Sequence, residues 1–125
     1  MKYVIIIVRV LLGLMFVVFG SNAFLKFMGP PPEMSGHAGE FINALMSSGY
    51  MQAIAVFQIL GGLCLILGAR LVPLGLTFLG PIIVNIVLFH IFLETQGLPI
   101  ALATAVLALF LLWVYRFKFP AIFQP

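Results

Sequence analysis

The sequence has few charged residues. Of its 125 residues, six are Lys or Arg and three are Asp or Glu, 7% in all, whereas about a quarter is usual in soluble proteins. A soluble chain of this length needs a polar surface because much of its mass lies close to that surface. The scarcity of charge therefore excludes an ordinary soluble domain. The lack of any block rich in Lys or Arg excludes a nucleic-acid partner.

Cysteine and histidine are also scarce. Cys64 is the only cysteine, which excludes an internal disulfide, a CxxC redox pair and a cysteine-based metal site. His37 and His90 are the only histidines and are distant in the sequence, so we expect neither a haem nor a metal ion. Cys64 stands in an apolar run, where a thiol is expected to pack as a small apolar group.

Long apolar runs dominate what is present, since 64% of the residues are hydrophobic. A helix needs about 20 residues to cross about 30 Å of hydrocarbon. Runs of this kind cover residues 3–24, 51–67, 71–93 and 98–115. We therefore predict an all-α protein with one transmembrane domain over residues 1–125. Its fold is predicted to be a membrane-spanning four-helix bundle, with the lipid bilayer as its principal partner.

The connection between the first two spans, residues 25–50, is the only long one. Its prolines at residues 30–32 lack backbone N–H groups and exclude a continuing helix. Beyond Ala38, apolar residues recur at helical spacing, at Phe41, Ile42, Leu45 and Met46. Gly49 is a suitable residue to end that helix. The pattern predicts a short helix lying in the membrane interface.

The distribution of positive charge indicates the orientation, because cytoplasmic loops retain Lys and Arg. With both termini in the cytoplasm, that side carries all the basic residues except Lys26, namely Lys2, Arg9, Arg70, Arg116 and Lys118. The long loop then faces outward. We expect the Arg9 side chain, which lies inside the first span, to extend toward the cytoplasmic headgroups.

A secretory signal peptide is the alternative interpretation of the first run. Lys2 precedes its apolar core, and residues 21–23, Ser-Asn-Ala, resemble a cleavage site. Arg9 interrupts that core, and the run is long for a signal peptide. We therefore favour a membrane span.

Polar side chains are rare within the spans, where they usually face the interior of the bundle. Asn22, His90 and Glu94 are expected toward the outer side, and Gln58 and Asn85 nearer the middle. These five are the candidate ligand-binding residues. His90 and Glu94 are four residues apart on one helix face, where a carboxylate can orient or charge an imidazole. The alternative for this pair is a hydrated helix end in the headgroup layer.

Pro81 lies in the middle of the third span, four residues before Asn85. Because proline removes one helical hydrogen bond, we expect a kink and unpaired carbonyl groups nearby. Asn85 and Gln58 therefore either contact a ligand in the bundle or hydrogen-bond to neighbouring helices.

Glycines recur at seven-residue spacing in two of the spans. One pair is Gly13 and Gly20, and the other is Gly61 and Gly68. A spacing of seven places both members on one helix face, where a neighbouring backbone can approach closely. Helix packing accounts for these glycines.

Six segments follow one another in an order that resembles the DoxX-like family of small membrane proteins. They are residues 9–13 and 19–24, the proline-rich loop that begins at residues 29–32, and residues 48–50, 58–62 and 81–90. The string Asn-Ile-Val-Leu-Phe-His, residues 85–90 within the last segment, is the most specific part. Ala23 stands where this family has Lys, and Gln58 stands where it commonly has an acidic residue.

The resemblance implies a bacterial-type inner-membrane protein that is a membrane subunit of a redox-linked complex acting on quinones or sulfur compounds. It implies other membrane subunits or self-association as partners. It leaves the cofactor open, with a bound quinone near the five candidate residues as the candidate. No complete redox centre is evident in the sequence, so enzymatic activity of the chain itself stays open. The alternatives are a non-catalytic accessory or scaffold subunit and a small transporter with a polar outward vestibule.

Overall fold

The computed structural model describes residues 1–29 and 33–120, and this part of the chain contains helices and connections but no strand. The five α-helices are α1 (Lys2–Leu25), α2 (Gly36–Ser47), α3 (Tyr50–Leu67), α4 (Val72–Phe92) and α5 (Leu98–Val114). Short 3-10 turns at Ala69–Leu71 and Arg116–Lys118 precede α4 and follow α5. The expectation for the prolines at residues 30–32 lies outside the described residues, as does the end of the predicted domain at residues 121–125.

Local sequence explains where the helices begin and end. α1 ends at Lys26, whose φ of 54° is left-handed and whose N–H donates to the Asn22 carbonyl at 2.9 Å. Gly49, with a φ of 83°, separates α2 from α3 at a conformation that glycine adopts without strain. Pro73 and Pro99 lie in the first turns of α4 and α5, where a missing N–H costs no helical hydrogen bond.

Three helical segments are long and apolar enough to cross a membrane, namely Lys2–Leu25, Tyr50–Leu67 and Ala69–Phe92. α5 is also apolar but has 17 residues. Large apolar side chains cover the outside of these helices, among them Ile7, Val84 and Val106. Exposed apolar surface of this extent is unusual in water and is the surface that lipid solvates. These features indicate an integral membrane protein, whereas the fourth span and the interfacial position of α2 remain predictions.

The long helices pack in sequence order and then close on themselves. α1 packs along α3, α3 on α4, α4 on α5, and α5 returns to contact α1. The fully buried side chains Leu12, Leu65 and Leu79 lie in the hydrophobic core between them. α4 ends at Phe92, so His90 lies in its last turn and Glu94 lies in the turn that leads to α5.

Glycine permits the closest approach of neighbouring helices. A Cβ on Gly13 would lie 2.6 Å from the Gly62 carbonyl oxygen of α3, and one on Gly75 of α4 would lie 2.9 Å from the Gly61 carbonyl oxygen. The predicted close contacts at Gly13, Gly20 and Gly61 are confirmed. The prediction for Gly68 is wrong, because this residue follows the end of α3 and an added Cβ would contact nothing within 4 Å.

The Arg9 side chain, which is predicted to extend toward the headgroups, forms hydrogen bonds to another helix. Its Nε donates to the Leu65 carbonyl at 2.9 Å, and its Nη2 lies 3.5 Å from the Ile66 carbonyl. Both carbonyls belong to the last turn of α3, where no helical N–H remains to bond them. Arg9 therefore joins α1 to the carboxyl end of α3, where a positive charge is favourable.

α4 continues through Pro81 as one helix, so this proline does not divide the span. Leu79 and Ile83 on either side are buried in the core. Their burial stabilises the helix on both sides of the position where Pro81 removes one backbone hydrogen bond. The neighbouring Asn85 donates from its side chain to the Pro81 carbonyl.

Candidate functional site

His90 and Glu94 form a side-chain pair at the end of α4. The imidazole Nδ1 lies 3.0 Å from Glu94 Oε2 and 3.0 Å from the Glu94 carbonyl oxygen. Both of these atoms are acceptors when the carboxyl group is ionised, so Nδ1 carries the hydrogen. The two side chains are 20% and 21% exposed. The structure thus brings together the two residues that the i, i+4 spacing placed on one helix face.

The turn between α4 and α5 holds the Glu94 carboxylate from the other side. Oε1 accepts a hydrogen bond from the Gln96 N–H, and Oε2 accepts one from the Gly97 N–H at 3.2 Å. The carboxylate therefore has the imidazole on one side and two backbone donors on the other. This arrangement fixes its orientation without any further side chain.

Gly97 allows the turn to lie directly against the imidazole. A Cβ at this position would fall 2.8 Å from His90 Nδ1 and would overlap the ring. Sequence reasoning gave no role to Gln96 or Gly97. The signal that would have found them is an acidic residue at a helix end followed by a short turn containing glycine.

Aromatic side chains pack beside the pair and connect it to α2. The Phe89 ring meets the His90 ring edge to face, with centroids 5.1 Å apart. On α2, the Phe41 ring packs on Phe89 at a centroid distance of 5.5 Å. The pair thus has an apolar wall along one side and the polar α4–α5 turn along the other.

The other three candidate residues lie apart from this pair. Asn22 Oδ1 accepts from the Met28 N–H at 2.9 Å and so closes the turn after α1. Gln58 is partly buried between α3 and α1, with its Cβ 3.2 Å from where a Cβ on Gly20 would lie. Asn85 is exposed on α4. Within residues 1–29 and 33–120, no hydrogen bond joins Asn22, Gln58 or Asn85 to one another or to the His90–Glu94 pair.

The expectation that polar side chains in the spans face inward is wrong for Thr77 and Asn85 of α4, which are both exposed, whereas His90 of the same helix is partly buried. Each bonds to a carbonyl four residues earlier in its own helix. Thr77 Oγ1 donates to Pro73 at 2.7 Å, and Asn85 Nδ2 donates to Pro81 at 2.8 Å. Each of these local bonds provides one hydrogen bond to a polar side chain on the outside of the bundle.

The chemistry available at the site comes from one imidazole nitrogen. With Nδ1 directed at Glu94, Nε2 of a neutral His90 accepts a hydrogen bond, and Nε2 of a protonated His90 donates one. Among the described residues, no group of three or more His, Cys, Asp or Glu is arranged to hold a metal ion. The pair is therefore suited to hydrogen bonding or proton exchange with one polar atom of a ligand.

No family model, curated protein or solved structure matches the chain. The resemblance to the DoxX-like family accordingly depends on the six sequence segments. The chemical interpretation depends on the geometry of the His90–Glu94 pair.

Proposed function

We propose that the chain is a multi-pass membrane protein with four spans, resembling the DoxX-like family, in a bacterial-type inner membrane. The 17 residues of α5 reach the lower limit for a span, about 17 residues. α5 also contacts both α4 and α1, so embedding it with them leaves one continuous apolar surface for lipid. On this account α2 lies in the interface on the outer side of this membrane, because the loop that contains it connects the outer ends of α1 and α3.

The segregation of charge supports cytoplasmic termini. Arg9 reaches the carboxyl end of α3, and Arg70 lies in the turn that follows it. Glu94 is at the far end of α4, and the other acids, Glu33 and Glu40, belong to the loop that connects the far ends of α1 and α3. One end of the helices is therefore basic and free of acidic residues within the described chain, as expected for a cytoplasmic face.

We infer that the protein is a membrane subunit of a redox-linked complex and that it contacts a quinone headgroup at the His90–Glu94 pair. The observation that carries this proposal is a partly buried imidazole whose Nδ1 is fixed by Glu94 and whose Nε2 forms no hydrogen bond within residues 1–29 and 33–120. A quinone carbonyl oxygen is an acceptor that a protonated Nε2 matches, and Phe89 offers an aromatic face beside it.

A bound quinone would supply two-electron, two-proton redox chemistry, which the side chains of the described residues do not provide. His90 would orient one quinone oxygen and exchange a proton with it, and Glu94 would keep the imidazole in position. The electrons would come from a partner subunit, which is why we propose a subunit and not a self-sufficient enzyme. A sulfur compound would then be the substrate of that partner.

Quinone analysis of the purified protein tests this proposal. After extraction in mild detergent, lipid-soluble quinones are quantified by chromatography and mass spectrometry for the wild type, His90→Gln and His37→Gln. His37 is the matched control because its side chain is 87% exposed on α2. We expect quinone to copurify with the wild type and with His37→Gln but not with His90→Gln. A wild type without quinone would refute the proposal.

A non-catalytic accessory or scaffold subunit is the second candidate. It is favoured by the hydrogen bonds that Asn22, Asn85 and Thr104 each form with a backbone atom of this chain. Such a subunit needs no ligand among its polar groups. In the same preparation it would copurify with other membrane proteins, contain no quinone, and retain those proteins in His90→Gln.

A further inference from the structure

One face of α4 has no neighbour among the described helices. Exposed residues recur along it at alternating spacings of three and four, at Leu74, Thr77, Pro81, Val84, Leu88 and Ile91. This is the spacing at which two helices pack side by side with a left-handed crossing. We call these six residues the α4 seam. The seam extends along most of the helix and carries no charge.

Gly80 flanks the α4 seam on one side. A Cβ added to Gly80 would meet nothing within 4 Å, whereas Gly13, Gly61, Gly62 and Gly75 each face another helix of the same chain. Gly80 is therefore a notch in the surface of α4 that no described part of this chain fills. A glycine in the middle of a span costs helix stability unless a close contact uses it.

Asn85 flanks the α4 seam on the other side. It lies seven residues before Phe92, or about 10 Å along the helix at about 1.5 Å per residue, too deep for its short side chain to reach water. One N–H of Nδ2 donates to Pro81. The second N–H and Oδ1 form no hydrogen bond in the described part of the chain, and they face hydrocarbon in a monomer. Such a group is costly unless another protein covers it.

The two flanking residues, Gly80 of one copy of the chain and Asn85 of a second copy, are complementary. In a parallel pair of helices, each residue on one flank of the seam lies opposite a residue on the other flank of the partner helix. The partner residue is five positions further along the sequence. Gly80 and Asn85 have this separation. Because Pro81 has no N–H, the carbonyl of Thr77 lacks its usual helical partner. An acceptor therefore lies one turn before the notch, where an amide entering from a neighbouring helix can reach it.

We propose that the α4 seam is the interface of a parallel, two-fold symmetric homodimer. The Asn85 side chain of each copy fits against Gly80 of the other and donates to the Thr77 carbonyl there. A second copy is the fitting occupant because both halves of the contact are on the same helix. Two copies in one membrane also share a direction, which gives the parallel arrangement. The proposal rests on the membrane-spanning position of α4.

Cysteine cross-linking in native membranes tests this interface. In a Cys64→Ala background, Val84→Cys places one thiol on the α4 seam. Val106→Cys places one on α5 as the control, since Val84 and Val106 are 57% and 63% exposed. Under a mild oxidant we expect a disulfide-linked homodimer from Val84→Cys and only monomer from Val106→Cys.

Two further substitutions test the complementary contact. Gly80→Leu fills the notch without a clash inside the monomer and is expected to abolish the Val84→Cys cross-link. Asn85→Leu is expected to raise the dimer dissociation constant about tenfold, because two equivalent hydrogen bonds are lost and each typically contributes a factor of about three in membranes. The dissociation constant is measured by energy transfer between labelled copies in vesicles.

Three outcomes would overturn the proposal. They are equal cross-linking of Val84→Cys and Val106→Cys, a cross-link that persists in Gly80→Leu, and a cross-link from Val84→Cys to a different protein. Resistance to alkaline carbonate extraction is measured on the same membranes. Protein that stays in the membrane as a monomer refutes the dimer alone, whereas extracted protein refutes the membrane-spanning position of α4.

Discussion

Replacing Arg9 is expected to weaken the attachment of α1 to α3. The guanidinium donates to the Leu65 carbonyl at 2.9 Å and lies 3.5 Å from the Ile66 carbonyl. These carbonyls have no helical partner because they belong to the last turn of α3. Arg9→Met keeps an unbranched side chain of similar length while it removes every donor and the charge.

The expected loss follows from two terms. A hydrogen bond from a charged group contributes about 1.5–3 kcal/mol, and a longer contact such as that to Ile66 adds little. A positive charge at the carboxyl end of a helix contributes a further 0.3–1 kcal/mol, approximately. Arg9→Met is therefore expected to lower the free energy of unfolding by about 2–4 kcal/mol. Arg9→Lys retains the charge but loses the forked geometry, so about half that loss is expected.

Reversible unfolding in mixed micelles of mild detergent and dodecyl sulfate measures this effect, with helix content and the fluorescence of Trp113 as two signals. Arg70→Met is the matched control, because Arg70 is exposed and makes no hydrogen bond within the described residues. We expect Arg70→Met to change the free energy by less than about 0.5 kcal/mol. If Arg9→Met proves no more destabilising than Arg70→Met, the guanidinium does not hold α3 and the reasoning is refuted.

Three further predictions, the first with a control substitution, concern other parts of the structure. Gly13→Ala is expected to lower the free energy of unfolding by about 1–3 kcal/mol in the same detergent titration, because its Cβ would press on a carbonyl oxygen of α3. The control Gly68→Ala, whose Cβ would meet no atom within 4 Å, should leave the unfolding midpoint unchanged. Equal effects of the two substitutions would contradict this account. Gly97→Ala is expected to displace the imidazole and shift the ring ¹⁵N resonances of His90, whereas an unchanged spectrum would show that the turn does not touch the ring. Thr104→Val should cost less than about 1 kcal/mol, because its hydroxyl donates to the Ile100 carbonyl of its own helix and makes only a long contact, of 3.9 Å, with Met15 Sδ of α1. A loss above about 2 kcal/mol would show that the contact with α1 stabilises the bundle and would contradict this account.

Helix positions could be predicted because long apolar runs are interrupted by residues that end helices. Glycine at residue 49 and the short polar stretch before Leu98 separate runs that are otherwise continuous. α2 could be located from four apolar residues at helical spacing, and the structure has a helix there, Gly36–Ser47. The proximity of His90 and Glu94 could be predicted from their four-residue spacing, but Glu94 lies in the turn beyond α4, where the Gln96 and Gly97 N–H groups also hold its carboxylate.

The direction in which each polar side chain points could not be predicted in the same way. α4 is apolar on nearly all sides, so its sequence contains no periodic signal that distinguishes the core face from the lipid face. Asn85 was expected inside the bundle, but the nearby carbonyl of Pro81 bonds its side chain on the outer face. Asn22 likewise bonds to the backbone of its own turn. Nearby backbone acceptors and donors thus determine the directions of these side chains. The rule that polar side chains face the interior of the bundle does not predict those directions.

The contacts of Arg9 and Gly97 could not be predicted from the sequence. Those of Arg9 join segments that are distant in sequence, and those of Gly97 depend on the shape of a turn. Arg9 and Leu65 are 56 positions apart, and no feature near either residue identifies the other. Gly97 is one of 12 glycines, and only the turn geometry reveals that it lies against the His90 ring.

The most direct test of the proposed four-span topology is the accessibility of single cysteines in a Cys64→Ala background. Ser35→Cys and Gln96→Cys report the outer connections, and Arg70→Cys and Lys118→Cys report the opposite ends of α4 and α5. With a membrane-impermeant maleimide on intact cells, we expect labelling at 35 and 96, and labelling at 70 and 118 only after permeabilisation. Labelling of 70 and 96 from the same side would contradict a membrane-spanning α4. Labelling of 96 and 118 from the same side would contradict the fourth span.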